Sequence, residues 1–396
     1  MRNFVRPFQT RLRALSVALA FVLLSALAAA PAAKAQSYKV LYNFTGGSDG
    51  ANPYFGSLIQ DEAGNLYGTA SDAGSHGYGT VFKLTKSGKQ TVLYSFTGGA
   101  DGGYPYATLI LSGNMLYGTT GWGGSGNGYS GHGVVFQVNI KTGAETVLYT
   151  FTGGADGATS YASLVRDKEG NLYGTTYWGG ANNYGTVFKV DPKTKKETVL
   201  HSFDDSDGAY PTYGLTFNPS EKTLFGTAAL GGSGSYGVVF SLTIKPATYT
   251  VLYNFTGGSD GAAPSGTLAL DPKGNLYGNA NYGGASGAGA VFEVVPKTKQ
   301  ETVLYKFTGG TDGKYPNAGV IRDKKGNLYG TTNSGGSGYG VAFELTKGTE
   351  TVLHSFDDTD GAYPDCGVLQ DSKGNLYGTT EAGGSSGAGV VWEITP

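Results

Sequence analysis

Residues 92–138 read VLYSFTGGADGGYPYATLILSGNMLYGTTGWGGSGNGYSGHGVVFQV, and variants of this stretch make up nearly the whole chain. Its marker, Leu-Tyr-Gly-Thr, returns with the aromatic at Tyr67, Tyr117, Tyr173, Phe225, Tyr277, Tyr329 and Tyr377, in steps of 50, 56, 52, 52, 52 and 48 residues. Each period holds four runs of strand length, typified by residues 107–111 (ATLIL), 65–69 (NLYGT), 80–84 (TVFKL) and 91–96 (TVLYSF). They are rich in Val, Leu, Tyr, Phe and Thr, the residues that suit a pleated, half-buried surface. No run has a 3.6-residue apolar period long enough for a helix. A fixed period of this size with four strands in each copy means a propeller or a related array.

The expectation is therefore all-β: a seven-bladed β-propeller of four-stranded blades. The competing open solenoid would need capping ends, and both ends here look like ordinary repeat pieces. Residues 38–44 (YKVLYNF) form a fourth strand with no first three before it, and residues 366–395 supply a first, second and third with no fourth. The spacing predicts that the amino-terminal strand completes the last blade. The alternative makes YKVLYNF the inner strand of a blade of its own. Gly is 68 of 396 residues, placed at fixed points between the strands, which reads as many tight turns and not as disorder. In residues 61–65 (DEAGN) Asp caps the turn and Gly supplies the positive φ.

Residues 1–35 read as a secretory signal, and residues 36–396 as the propeller. Arg2, Arg6, Arg11 and Arg13 form a basic start, 14–30 is almost wholly apolar, and Ala33-Lys34-Ala35 is a cleavage site of small-residue type. The expected product is a secreted or periplasmic monomer with no membrane attachment after cleavage. Cleavage removes four Arg and Lys34 but no acid, leaving 23 basic and 30 acidic residues, a net of −7. That balance argues against nucleic acid as a partner, since phosphate backbones need basic patches. A lone Cys366 rules out a disulfide framework within one chain and reads as a small buried residue.

The order P-x-x-G-x-L-x-x-D-x-x-G-N-L-Y, then V-F-x-L, then V-L-Y-x-F, resembles secreted bacterial propeller repeats. It is most similar to the GloVer tandem-repeat family, which has the Leu-Tyr-Gly-Thr, Gly-Gly and Gly-x-Val-Phe blocks, and its layout is similar to NHL-type repeats. The resemblance covers residues 38–396. It implies the array and no catalytic residues. It would also imply a carboxy-terminal surface anchor, which is not expected here because the sequence reaches Pro396 directly after a strand-like run.

In this topology the loops sort to two faces. One collects the Asp-x-x-Gly-Asn and Lys-rich turns and reads as a charged, solvated surface. The other collects Thr-Gly-Gly-x-Asp-Gly, as at 97–102, and Gly-Gly-x-x-Gly loops. Ligand binding is expected on this second face, at Trp122, Tyr177, Trp178, Asp101, Asp156 and Tyr282, because aromatic planes and carboxylates suit sugar CH surfaces and hydroxyls. The expected partner is a glycan or a protein. The residues repeated in every copy compete as turn chemistry, so the tryptophans, absent from five copies, carry more weight. Copies four and seven share HSFDDSDG and HSFDDTDG, whose Asp204, Asp205, Asp207 and Asp357, Asp358, Asp360 have a partial calcium-loop pattern without its later Glu. No cofactor, metal ligand or catalytic residue is otherwise expected. The alternative is a lactonase-like or polysaccharide-lyase-like enzyme. Such an enzyme should break the seven-fold sameness near the axis with a His, Glu or Arg set, yet the inner strands offer mainly Arg166 and Arg322, both just before turns.

Overall fold

The computed structural model describes Gln36–Thr395; the expected signal over residues 1–35 lies outside the described residues. Seven four-stranded antiparallel sheets follow one another along the chain. Blade I is built from Ile59–Gln60, Leu66–Ala70, Thr80–Leu84 and Gln90–Ser95. Blades II to VI occupy 110–150, 165–202, 216–254, 262–306 and 321–355. Blade VII takes Leu369–Gln370, Leu376–Thr380 and Val390–Thr395 and is completed by Ser37–Asn43 from the amino terminus. The ring is therefore zipped, with the first strands innermost. The only helical turn among the described residues is Gly128–Ser130, inside the longer loop that stretches one step of the period to 56. No helix among them is long and apolar enough to cross a membrane.

Why the middle strands are buried at almost every position is clear from their surroundings. Each blade is covered on both faces, so Leu66–Ala70 and Thr80–Leu84 bury almost every residue. Tyr67 and Val81 pack forward onto Leu109, Leu116 and Phe136 of blade II. Leu66, Phe82 and Leu84 pack backward onto Tyr377 and Val391 of blade VII. The core is thus a set of layers between blades. The Phe that ends each fourth strand seals the layer: Phe96 meets Phe136 edge-on with ring centres 5.0 Å apart, and Phe151 meets Phe188 at 5.1 Å. Burying such a ring is worth about 1.5–3 kcal/mol.

The marker itself is explained residue by residue. Its Tyr reaches back to the turn: Tyr67 and Asn65 both donate to Asp61. Its Gly lies under the Phe of the third strand, where a Cβ on Gly118 would come within 2.7 Å of the Phe136 ring. Its Thr ties the ring together. Thr69 donates to Ala107 O, Thr119 to Ala162 O, Thr331 to Cys366 O and Thr379 to Pro53 O, each on the following blade. In blade V, Asn279 donates to Ala318 O in the same way.

Two details depart from the sequence reading. The inner strands are mostly two or three residues long instead of five. Close to the axis their amides turn to hydroxyls of other blades: Ser57 N donates to Thr108 Oγ1, and Thr108 N to Ser163 Oγ. The alternation of the fourth strand is also interrupted by a register shift between Val81 and Phe82, which recurs in blades II to VI. A bulge of this kind bends and twists the outer strand.

Candidate functional site

The loop face holds two connected features, an exposed arc and a cup on the axis. The arc comes from one register position. Trp122, Trp178 and Tyr282 leave the second strand at equivalent points, pairing with Gly103, Ala158 and Ala262. Leu230 stands there in blade IV, whereas blades VI, VII and I carry Ser334, Ala382 and Asp72. Large apolar side chains therefore crown blades II to V only. Tyr129, Trp178, Leu230, Tyr236 and Tyr282, each 36–63% exposed, are the exposed large hydrophobics among the described residues, and all lie on this arc.

Of the residues expected from sequence, Trp122, Tyr177 and Trp178 are brought together. The two indoles are 5.8 Å apart and tilted by 60°, and Tyr177 lies 5.0 Å from Trp178. Trp122 continues to Tyr129 at 5.5 Å, which stacks on Tyr104. Tyr282 stands apart, edge-on to Tyr315 at 5.4 Å. Asp101 and Asp156 are not part of this group. The carboxylate of Asp101 accepts hydrogen bonds from the Thr97 amide and hydroxyl and from Tyr94 Oη. Asp156 holds Thr152 and Tyr149 identically. Both are spent on their own loops at the rim.

The Asp-rich variants are likewise internal. Asp204 Oδ1 accepts from Ser206 and the Asp207 amide, and Asp357 Oδ1 from Thr359 and the Asp360 amide. Asp205 and Asp358 take positive φ at the turn. Asp360 contacts His354 Nε2 at 2.7 Å. Among the described residues no group of three or more His, Cys, Asp or Glu is arranged to hold a metal ion.

The cup was not foreseen. Its walls come from two positions at which no two copies need agree: three residues before the buried inner Leu or Val, and two residues after the marker Thr. In blades I to IV these and their neighbours supply Phe55, Tyr106, Tyr161, Tyr177 and Tyr213. In blades V to VII they supply Asn281, Asn317, Asn333, Asp365 and Glu381. Half of the mouth is aromatic and half is carboxylate and carboxamide. Blade I has one more residue between Asn52 and Leu58 than blade II has between Tyr104 and Leu109. The extra residue puts Phe55 at φ +61, and its ring reaches Tyr106, Tyr161 and Tyr213 of three other blades at 6.4, 6.4 and 5.7 Å. Phe55 thereby floors the cup, above an axial cavity of about 310 Å³ whose one charged lining residue is Arg322.

The acidic wall is electrostatically unusual. Asp365 is 2% exposed and accepts from Asn317 Nδ2 and Asn333 Nδ2, both at 2.7 Å. Burial pushes its carboxyl up to about 6 despite these donors. Glu381 rises to about 7, through burial and then the charges of Asp365 and Asp72. Tyr54 and Tyr213 are raised by burial and then by the charge of Asp365. Among the described residues the ion pairs are Lys168–Glu221, His201–Asp207 and His354–Asp360, so neither cup carboxyl has a cationic partner. The sevenfold sameness is thus broken at the axis after all, by two acids, one of them Glu381, and by amides; neither His nor Arg stands among these wall residues.

Comparison with known proteins agrees with this architecture. The Gloeobacter/Verrucomicrobia repeat matches residues 31–232 and again 217–396. No curated protein has a matching sequence. Among solved structures, an oligogalacturonate lyase in complex with manganese is similar at 13% identity and a TM-score of 0.56, over 92% of this chain and 94% of that one. An oligogalacturonate lyase from Vibrio parahaemolyticus gives 12% identity and 0.54 over the same shares. A putative 6-phosphogluconolactonase from Bacteroides uniformis gives 18% and 0.51, over 77% of this chain and 84% of that one. At such identities the likeness is one of fold.

Proposed function

The chain belongs to the Gloeobacter/Verrucomicrobia repeat family, and from that premise we propose that it is an exported, non-catalytic glycan-binding propeller whose ligand lies along the arc. The observation that supports this is the confinement of exposed aromatic surface to one stretch of one face, with Trp122 and Trp178 side by side. Patches of this kind mark interaction sites, and flat rings held on a rigid scaffold cost little ordering entropy when a sugar ring stacks on them. Glycan-array binding, repeated on Trp122→Ala and Trp178→Ala, tests it. Each variant should lose about tenfold or more in affinity, the scale of an interface aromatic truncated to Ala. Undiminished binding in both would remove the arc from the ligand site.

One feature favours a second reading, a hydrolase or lyase: burial pushes the carboxyls of Asp365 and Glu381 up to about 6 and about 7, the range suited to a general acid. Turnover on a panel of lactones and polysaccharides, abolished in Glu381→Gln, would replace the binding reading with this one.

A further inference from the structure

The cup presents an unresolved problem of charge. Two carboxyls, one of them almost fully buried, face the axis with no cation beside them. A buried carboxylate without a partner is costly, and its aspartate is held only by two neutral amides. In the same wall one further acceptor is unused: Asn281 Oδ1 is shielded from solvent and has no hydrogen-bond partner. Opposite them stand the rings of Tyr54, Phe55, Tyr106 and Tyr213, whose electron-rich faces attract cations. A site with carboxyls that lack a cationic partner and with aromatic rings beside them is complementary to a compact group that brings positive charge: an ammonium can donate to the carboxylates while its charge lies against the rings.

We propose that the cup binds a protonated amine: the ammonium of an amino-sugar unit at the end of the glycan that lies on the arc. The proposal rests on the glycan reading for the identity of the ligand, but not for the chemistry of the cup. A metal ion is less well served, because among the described residues no three His, Cys, Asp or Glu side chains are grouped to hold one. A uronate is poorer still, since its carboxylate would meet Asp72, Asp365 and Glu381 with no cation to receive it. The resemblance in fold to oligogalacturonate lyases therefore does not extend to their substrate. Phe55, whose ring meets Tyr161 and Tyr213, stands between the cup and the axial cavity it helps to line, so a chain entering from the arc is expected to end in the cup. The Trp122–Trp178 pair then supports the units that follow.

Calorimetric titration of the purified protein at pH 7 with three tetrasaccharides separates the possibilities: β-linked glucosamine, its N-acetylated counterpart, and galacturonate. The amine form should bind about tenfold or more tightly than the N-acetylated form, as expected for a desolvated charge contact, and galacturonate should bind weakest. Asp365→Asn and Glu381→Gln should each erase the preference while remaining folded by thermal melting. Trp178→Ala should weaken all forms alike. Affinity for the amine should also fall between pH 7 and pH 5, as Asp365 and Glu381 take up protons; Tyr54, Tyr106, Tyr161 and Tyr213 stay neutral throughout. Equal binding of the amine and N-acetylated forms, or an unchanged preference in folded Glu381→Gln and Asp365→Asn, would overturn the cup assignment and leave the arc standing. If no tetrasaccharide binds but methylammonium does, and Glu381→Gln abolishes it, the glycan reading fails while the cup holds. If methylammonium also fails to bind, the cup assignment falls as well.

Discussion

The rim and the axis of this ring use repetition in opposite ways. At the rim, six of the seven junctions between neighbouring blades use one of two recurring latches. In the first, Tyr94 donates to Asp101 of its own loop, and Glu145 of the next blade stands by with Oε1 unpartnered. The same trio recurs as Tyr149, Asp156 and Glu197, as Tyr253, Asp260 and Glu301, and as Tyr305, Asp312 and Glu350. In the second, His354 replaces the tyrosine, contacts Asp360, and stacks on Tyr38 of the next blade at 3.6 Å. The junction of blades VII and I keeps the Tyr42–Asp49 bond with Gln90 in place of the glutamate. At the axis the equivalent positions carry Tyr106, Tyr161, Thr212, Ser265, Asn317 and Asp365 in successive blades. A rim position faces an equivalent neighbour in every blade, so two solutions and a close variant serve all seven. An axial position faces all seven blades at once, and a ligand that fills the centre needs different groups on different sides.

The most direct way to break this division is to exchange the consequences. Phe136 belongs to the layer between blades and is fully buried. Phe136→Ala should cost about 3–5 kcal/mol through the lost ring and the cavity left behind, lowering the melting temperature without selective loss of binding. Tyr106→Ala, on the axis, should do the reverse, weakening ligand binding with a much smaller thermal shift. If both variants lost stability equally, the axis would be ordinary core. Thermal melting and calorimetric titration of the two proteins decide it.

The period, the strands and the zipped closure were legible because each blade must fill nearly the same space, so the sequence repeats the solution. The length of the inner strands was not, because hydroxyls from other blades, Thr108 and Ser163, take the place of a sheet partner. Trp122, Tyr177 and Trp178 could be found as departures from the consensus on a loop face. Asp101 and Asp156 lie near that face too, but their roles depend on Tyr94 and Tyr149 seven residues earlier, which the loop motif alone does not disclose. The cup was least visible. Phe55 and Asp365 are at opposite ends of the chain, and neither belongs to a motif. The available signal was positional: aligning the copies on the inner Leu and the marker Thr shows that aromatics gather in the early blades and acids and amides in the late ones.

The first latch makes a smaller but distinct prediction about pH. Burial, and then the aspartate of the preceding blade, pushes Glu145, Glu197, Glu301 and Glu350 up to about 7. Below the ordinary value of 4.5 both folded and unfolded chains hold these protons, and the contribution to stability is complete. Between 4.5 and 7 only the folded chain holds them, so stability falls as pH rises, and above 7 the contribution is gone. Asp365 and Glu381 act in the same sense. On the acid side, burial raises Asp260 and Asp312, but the amide and hydroxyl donors of Thr256 and Thr308 outweigh it and hold both below 3.8, so their contribution is lost as pH falls further. The melting temperature should peak between about pH 4 and 5 and decline towards 7. Replacing the four latch glutamates by Gln should flatten that decline, as seen by melting across the range; an unchanged slope would place the protons elsewhere.

The smallest effect sharpens the comparison between the latches themselves. Wherever a fourth strand carries His in place of Tyr, the next blade carries Tyr in place of Glu or Gln: His201 with Tyr249, and His354 with Tyr38. His201 stands 2.8 Å from Asp207 Oδ2, off hydrogen-bond alignment, and stacks on Tyr249 at 3.8 Å within 6° of parallel. In this position Tyr249 also donates to Asp207 O. The two residues therefore form a unit that either substitution alone disrupts. His201→Tyr crowds Tyr249, and Tyr249→Glu removes both the stack and the bond to Asp207. Each single change should cost on the order of 1 kcal/mol, whereas the double change rebuilds the Tyr–Asp–Glu latch of blades I and II and should recover at least half of the summed loss. Chemical denaturation of the four proteins measures that coupling. Simple additivity would mean that the two sites vary independently and that the matched pairs in blades III–IV and VI–VII reflect no shared physical requirement.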